Sequence, residues 1–106
     1  MICINQESPY QQLDPGVERK ILAAGGSLMT AQFRFQKGAI GALHSHPHEQ
    51  VGYVVSGSVD LTLDGKTQTL RSGDSYYVPS GLVHGVKALE ETVLIDVFTP
   101  QRQDFL

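Results

Sequence analysis

The chain has 106 residues, 41% of them hydrophobic, which is the length of one domain with apolar material for one core. Eight Lys+Arg against 11 Asp+Glu leave a net charge of −3 and no basic block, excluding a nucleic-acid groove or an anionic-membrane patch. The first twelve residues lack a basic stretch followed by an apolar one, and no apolar run approaches the ~20 residues of a membrane span. With a single cysteine, Cys3, there is no intrachain disulfide, and the expectation is a cytoplasmic protein.

Eleven glycines and five prolines punctuate the chain at short intervals, as in small all-β proteins. Val17–Ala23 reads as a first strand, turned by Gly25-Gly26 into Leu28–Gln36, where Ala31, Phe33 and Phe35 alternate with Gln32, Arg34 and Gln36. Gln50–Val55 follows, then a turn at Ser56-Gly57 and a strand over Val59–Leu63. Asp64-Gly65 predicts a type I′ hairpin, whose two central residues need positive φ, returning through Lys66–Leu70. Ser72-Gly73-Asp74 turns the chain into Ser75–Val78, Pro79-Ser80-Gly81 turns it into His84–Ala88, and Pro100 ends a last strand over Thr92–Phe98. Gly16–Leu22 is the nearest approach to a helix, weakened by Pro15 and by β-branched Val17 and Ile21. Nine or so strands around one core predict a barrel or two-sheet sandwich, with residues 101–106 packing back to cover Phe105 and Leu106.

Three of the four histidines fall within five residues, at His44, His46 and His48. On an extended segment His44 and His46 share a face, and Gln50 has the same parity. One histidine in such a polar, proline-bearing stretch is more often a surface residue; three together form a chelate pattern for a divalent transition metal. His84, alone a structural histidine, becomes beside that cluster the candidate fourth ligand. In the last strand Val93, Ile95 and Val97 share one face, and Asp96 interrupts the other between Leu94 and Phe98. A carboxylate there is either an acid/base facing a solvated cavity or a rim residue bonded to a turn. Arg102 either reaches back over the barrel mouth toward a carboxylate or stays solvated.

The pattern Gly38-x5-His44-x-His46-x3-Gln50-x6-Gly57 resembles the first cupin motif, and Gly73-x5-Pro79-x-Gly81-x2-His84 resembles the second. The two motif regions are residues 38–57 and 73–88. This resemblance implies a cupin-type double-sheet β-barrel, or jelly roll, formed by residues 1–106 as a single domain. It also implies one divalent ion (Ni, Zn, Mn, Fe or Co) held inside by His44, His46, Gln50 and His84. His48 has the ligand parity but sits between Pro47 and Glu49, which leaves it behind these ligands, at the rim, or itself a ligand. Two positions depart from the motifs: Gln50 stands where a glutamate is usual, and Ala88 where an asparagine is. Four neutral ligands leave the ion its full charge, which favours an anionic partner.

The ending Asp96-Val-Phe98-Thr-Pro-x-Arg102-x-Asp104-Phe-Leu106 resembles that of the KdgF-type pectin-degradation cupins. The His-x-His-Pro-His-Glu-Gln form of motif one and Gly-Val-Glu-Arg-Lys at 16–20 extend that resemblance over nearly the whole chain. It implies an enzyme that linearises 4,5-unsaturated monouronates from pectin or alginate breakdown. In that reading Asp96 is the acid/base, Phe98 a wall against the sugar, and Arg102 the partner of the substrate carboxylate. The alternatives are another metal-dependent cupin enzyme, a dioxygenase or sugar isomerase, and a non-catalytic cupin that binds a small ligand. Apolar outer positions, one of Tyr53 and Val55 or the face of Val93, Ile95 and Val97, predict a homodimer.

Overall fold

Period-two alternation decides which side of each strand meets the core. In the computed structural model, which describes residues 1–106, ten strands follow one another: β1 (Gln11–Asp14), β2 (Val17–Gly25), β3 (Leu28–Phe35), β4 (Ile40–His44), β5 (Glu49–Ser56), β6 (Ser58–Leu63), β7 (Lys66–Arg71), β8 (Ser75–Val78), β9 (His84–Ala88) and β10 (Thr92–Thr99). Single 3-10 turns at Asn5–Glu7 and Gln103–Phe105 are the only helical elements. The large sheet has the order β1-β2-β3-β10-β5-β8 and the small one β4-β9-β6-β7, with every pairing antiparallel. This is the expected double-sheet barrel.

The core follows the alternation. On β5 Gln50, Gly52 and Val54 face inward, and on β10 Thr92, Leu94, Asp96 and Phe98 do. Val17, Phe35, Val54, Val59, Ala88 and Leu94 form one buried cluster. Met29, Ala31 and Phe98 form a second, and Leu61, Tyr76 and Val78 a third. Burying a side chain of the size of Leu94 or Phe98 contributes roughly 1.5–3 kcal/mol.

Turn chemistry sets the register. Asp64 and Gly65 both have positive φ, 50° and 79°, as the type I′ reading requires. Gly57 has φ 88°, and a Cβ there would lie 2.3 Å from the Glu91 carbonyl oxygen, so only glycine fits between β5 and β6.

Four sequence expectations need correction. Two strands, β1 and β4, lie in stretches that carry no clean alternation; all four residues of β1 are exposed, so its pairing with β2 is held by backbone bonds rather than burial. Tyr53 and Val55 both face outward, not one of them, because residues two apart share a side of the sheet. The tail packs back through Phe105, which meets Phe33 and Phe98, whereas Leu106 stays exposed. Finally, β4 ends at His44, so His46 lies in the turn into β5 and not on the same strand. No helix is long and apolar enough to cross a membrane.

Candidate metal centre and active site

The small sheet supplies two of the histidines, and the turn that leads into the large sheet supplies the third. His44 ends β4, His84 begins β9, and the two are paired across the small sheet. His46 sits beyond the strand end, and its ring centroid lies 5.6 Å from that of His44 and 4.9 Å from that of His84. One ring nitrogen from each of His44, His46 and His84 lies within 4.8 Å of the other two.

The tautomers follow from the backbone. Nδ1–H of His44 donates to the Ala42 carbonyl at 2.8 Å, that of His46 to the His48 carbonyl at 3.1 Å, and that of His84 to the Leu82 carbonyl at 2.9 Å. A carbonyl only accepts, so each Nδ1 carries the proton and each Nε2 keeps its lone pair. His84 Nε2 is buried and has no hydrogen-bond partner. His46 Nε2 faces Gln50 Oε1, a second lone-pair atom, at 3.0 Å. Burial pushes the pKa of both His46 and His84 down, which keeps them neutral. Lone pairs converging on one place, one of them buried and orphaned, fit a bound cation, toward which His44, His46 and His84 could each offer a ring nitrogen and Gln50 its amide oxygen. His48 is half-buried and outside this cluster, and supplies its carbonyl to His46.

A cavity of about 310 Å³ opens from this centre between the sheets, in the size range of small-ligand sites. Asp96, Phe98 and Arg102 all line it, as do His44, Gln50 and His84. Asp96 is 5% exposed, and burial raises its pKa from the ordinary 3.8 to about 6, against the opposing pull of hydrogen bonds from Tyr76 and Gln50 and the charge of Arg102. It is not a rim residue bonded to a turn; its carboxylate accepts a hydrogen bond from the Tyr76 hydroxyl at 2.8 Å. Phe98 is fully buried, with its ring edge-on to His46 at 5.8 Å between centroids. Arg102 is buried rather than solvated. Its Nε and Nη2 donate to the two carboxylate oxygens of Asp104, at 3.1 and 2.9 Å.

Three residues of the site escaped sequence reasoning. Tyr76 shares the inward parity of Val78 on β8 and holds Asp96. Gly52 makes room for it, since a Cβ at that position would lie 2.0 Å from Tyr76 Cζ. A glycine in mid-strand, two residues after Gln50, is the signal that points to such a close approach. Arg19 shares the inward register of Val17 on β2 and reaches the cavity, with its guanidinium carbon 3.7 Å from the centre of the Phe105 ring.

Fold and site together define a small cupin. The chain belongs to the cupin family: residues 31–98 match the Cupin domain. It resembles KdgF-type proteins over almost its whole length. It is 43% identical over 105 residues to the pectin degradation protein KdgF of Dickeya dadantii, covering 97% of this chain and 96% of that one. The solved structure of KdgF from Halomonas sp. superimposes with a TM-score of 0.96 at 40% identity, covering 100% of this chain and 98% of the other. Bacillus subtilis oxalate decarboxylase, in a structure concerned with its Mn(II) centres, superimposes with a TM-score of 0.80 at 26% identity, covering 92% of this chain and 28% of that one.

Proposed function

We propose that this cupin opens the ring of 4,5-unsaturated monouronates released from pectin or alginate, yielding the linear keto form. The observation that carries the reading is a buried carboxyl group, Asp96, in the same cavity as the converging imidazoles and two guanidinium groups. The likeness to proteins named for pectin degradation, over almost the whole chain, supports the substrate class.

The substrate is a cyclic hemiacetal whose ring oxygen is attached to the C4–C5 double bond. Asp96, as carboxylate, removes the proton of the C1 hydroxyl. The C1–O bond to the ring breaks, C1 becomes a carbonyl, and the electron pair remains on the ring oxygen as an enolate. Asp96 then returns the proton to C4, leaving a ketone at C5; no atom is gained or lost. A group whose pKa lies near 6 is suited to taking and giving back a proton near neutral pH. When bound, a divalent ion held by His44, His46, Gln50 and His84 supplies positive charge that favours anionic oxygens. Phe98 gives the sugar an apolar wall, and Arg102, fixed by Asp104, sets a positive edge at the cavity. Of the two roles open to Asp96, acid/base or rim residue, its burial beside Tyr76 favours the first.

The test follows the ultraviolet absorbance of the C4–C5 double bond of a monomeric unsaturated uronate. The metal-loaded protein is expected to accelerate its loss, and Asp96→Asn to abolish the acceleration while metal content is unchanged. Full turnover by Asp96→Asn would remove Asp96 from the mechanism.

We also propose that a second copy of the chain covers the outer face of the large sheet. Val51, Tyr53, Val55, Tyr77 and Val97 are exposed there, and the pairings Val97–Val51 and Val51–Tyr77 make the patch continuous. Sedimentation is expected to give a dimer that Tyr53→Lys turns into a monomer; a monomeric wild type contradicts it.

A further inference from the structure

The inward face of a barrel strand is an anomalous place for an unpaired cation. On β2 the inward positions begin with Val17 in the core and continue with Arg19, which is 9% exposed. The protein has two ion pairs, Arg34 with Glu18 and Arg102 with Asp104, and Arg19 belongs to neither. Glu18, its neighbour in sequence, lies on the other side of the strand and is engaged by Arg34 at 2.9 Å across the register with β3. A guanidinium has five N–H donors and no acceptor of its own, and those of Arg19 are bonded to no side chain or carbonyl of the chain, nor sealed from the cavity.

What Arg19 does have is a position. Its guanidinium carbon lies 3.7 Å from the centre of the Phe105 ring, and that of Arg102 lies 4.2 Å from the same ring. The two cations therefore flank one aromatic side chain at the cavity wall. Only one of them is neutralised: Asp104 takes the Nε and Nη2 edge of Arg102. The residues His44, His46, Gln50 and His84 bring no negative charge, and of the cavity's carboxyl groups, Asp14 and Asp96, neither forms an ion pair with Arg19; Asp104 acts on it only through its charge, from a place already bonded to Arg102. Stacking on Phe105 holds the guanidinium plane in place, which lowers the ordering cost of a two-point contact to a carboxylate.

We propose that Arg19 is a specificity-determining residue of the cavity, presenting its open fork to the carboxylate of a small sugar acid. Arg102, whose fork Asp104 already fills, is then the second and lesser contact. The assignment rests on the reading of this cavity as an acidic-sugar site, and it places the main carboxylate anchor on β2 rather than on the tail.

The experiment titrates the metal-loaded protein by calorimetry with two unreactive probes, D-galacturonate and its neutral counterpart D-galactose. Wild type is expected to prefer the acid by at least tenfold. Arg19→Gln should remove most of that preference while leaving galactose binding unchanged, and Arg19→Lys, which keeps the charge but not the fork, should restore part of it. If Arg19→Gln does not fold, Arg19→Lys alone decides: an affinity for galacturonate equal to wild type overturns the assignment. An acid preference undiminished in Arg19→Gln, or a wild type without one, overturns it too. Turnover of the unsaturated uronate by wild type separates the two readings. Turnover with the preference intact in Arg19→Gln sinks Arg19 and keeps the activity, whereas loss of preference without any turnover keeps Arg19 and sinks the activity.

Discussion

Asp96→Asn has a consequence for stability as well as for turnover. In the metal-free protein the Asp96 carboxyl titrates at about 6 instead of 3.8, mainly because burial disfavours its charged form. The folded protein thus holds this proton more tightly than the unfolded chain does. The contribution to stability is fully present below pH 3.8 and is lost as pH rises through the window from 3.8 to about 6. At 1.36 kcal/mol for each pH unit of that displacement, the loss above pH 6 is about 3 kcal/mol. Asparagine has the same shape, still accepts the Tyr76 hydrogen bond, and does not titrate. The assay is urea unfolding of wild type and Asp96→Asn in the presence of a chelator, from pH 3.5 to 8. The stability difference between the two is expected to shift by about 3 kcal/mol in favour of the variant as pH rises, with its midpoint between 3.8 and 6. Using the difference cancels every group the two proteins share. A flat difference, or one that moves in favour of wild type, would show that the carboxylate is solvated or ion-paired and would refute the burial argument.

Tyr76→Phe removes a donor that holds the Asp96 pKa down, so the acid limb of the activity profile should move to higher pH. The stability cost should be about 1–3 kcal/mol, and an unmoved acid limb would show that the hydroxyl does not act on Asp96. Gly52→Ala places a methyl 2.0 Å from the Tyr76 ring and should lower stability by about 1–3 kcal/mol or more, measured by urea unfolding, with loss of activity. A variant as stable and active as wild type would mean that the Tyr76 ring has room elsewhere. His84→Ala removes the orphaned Nε2 donor and should reduce bound metal well below one ion per chain by elemental analysis; full metal content would exclude it as a ligand.

The histidine cluster was legible because motif spacing records it directly: His44 and His84 pair across two strand ends, which pattern alone cannot show but which their positions in the two motifs imply. Asp96 was legible as an exception, one acid among alternating apolar residues of β10. Its partner Tyr76 was not, because an aromatic residue on a strand reads as core, and the hydrogen bond spans two strands on either side of β5. Arg19 was hidden for a related reason. Strand β2 carries Glu18, Arg19 and Lys20 in succession, so parity alone gives no ground for separating the residue that faces the cavity from its neighbours. Strand β1 stayed invisible because its exposed residues bear no burial pattern.

The central claim is ring opening of an unsaturated uronate, and proton NMR in D2O tests it most directly. With metal-loaded protein, the vinyl C4 signal should give way to the linear keto form much faster than in buffer alone, with deuterium appearing at C4 of the product. Loss of that signal at the uncatalysed rate, from protein with its ion bound, would contradict it.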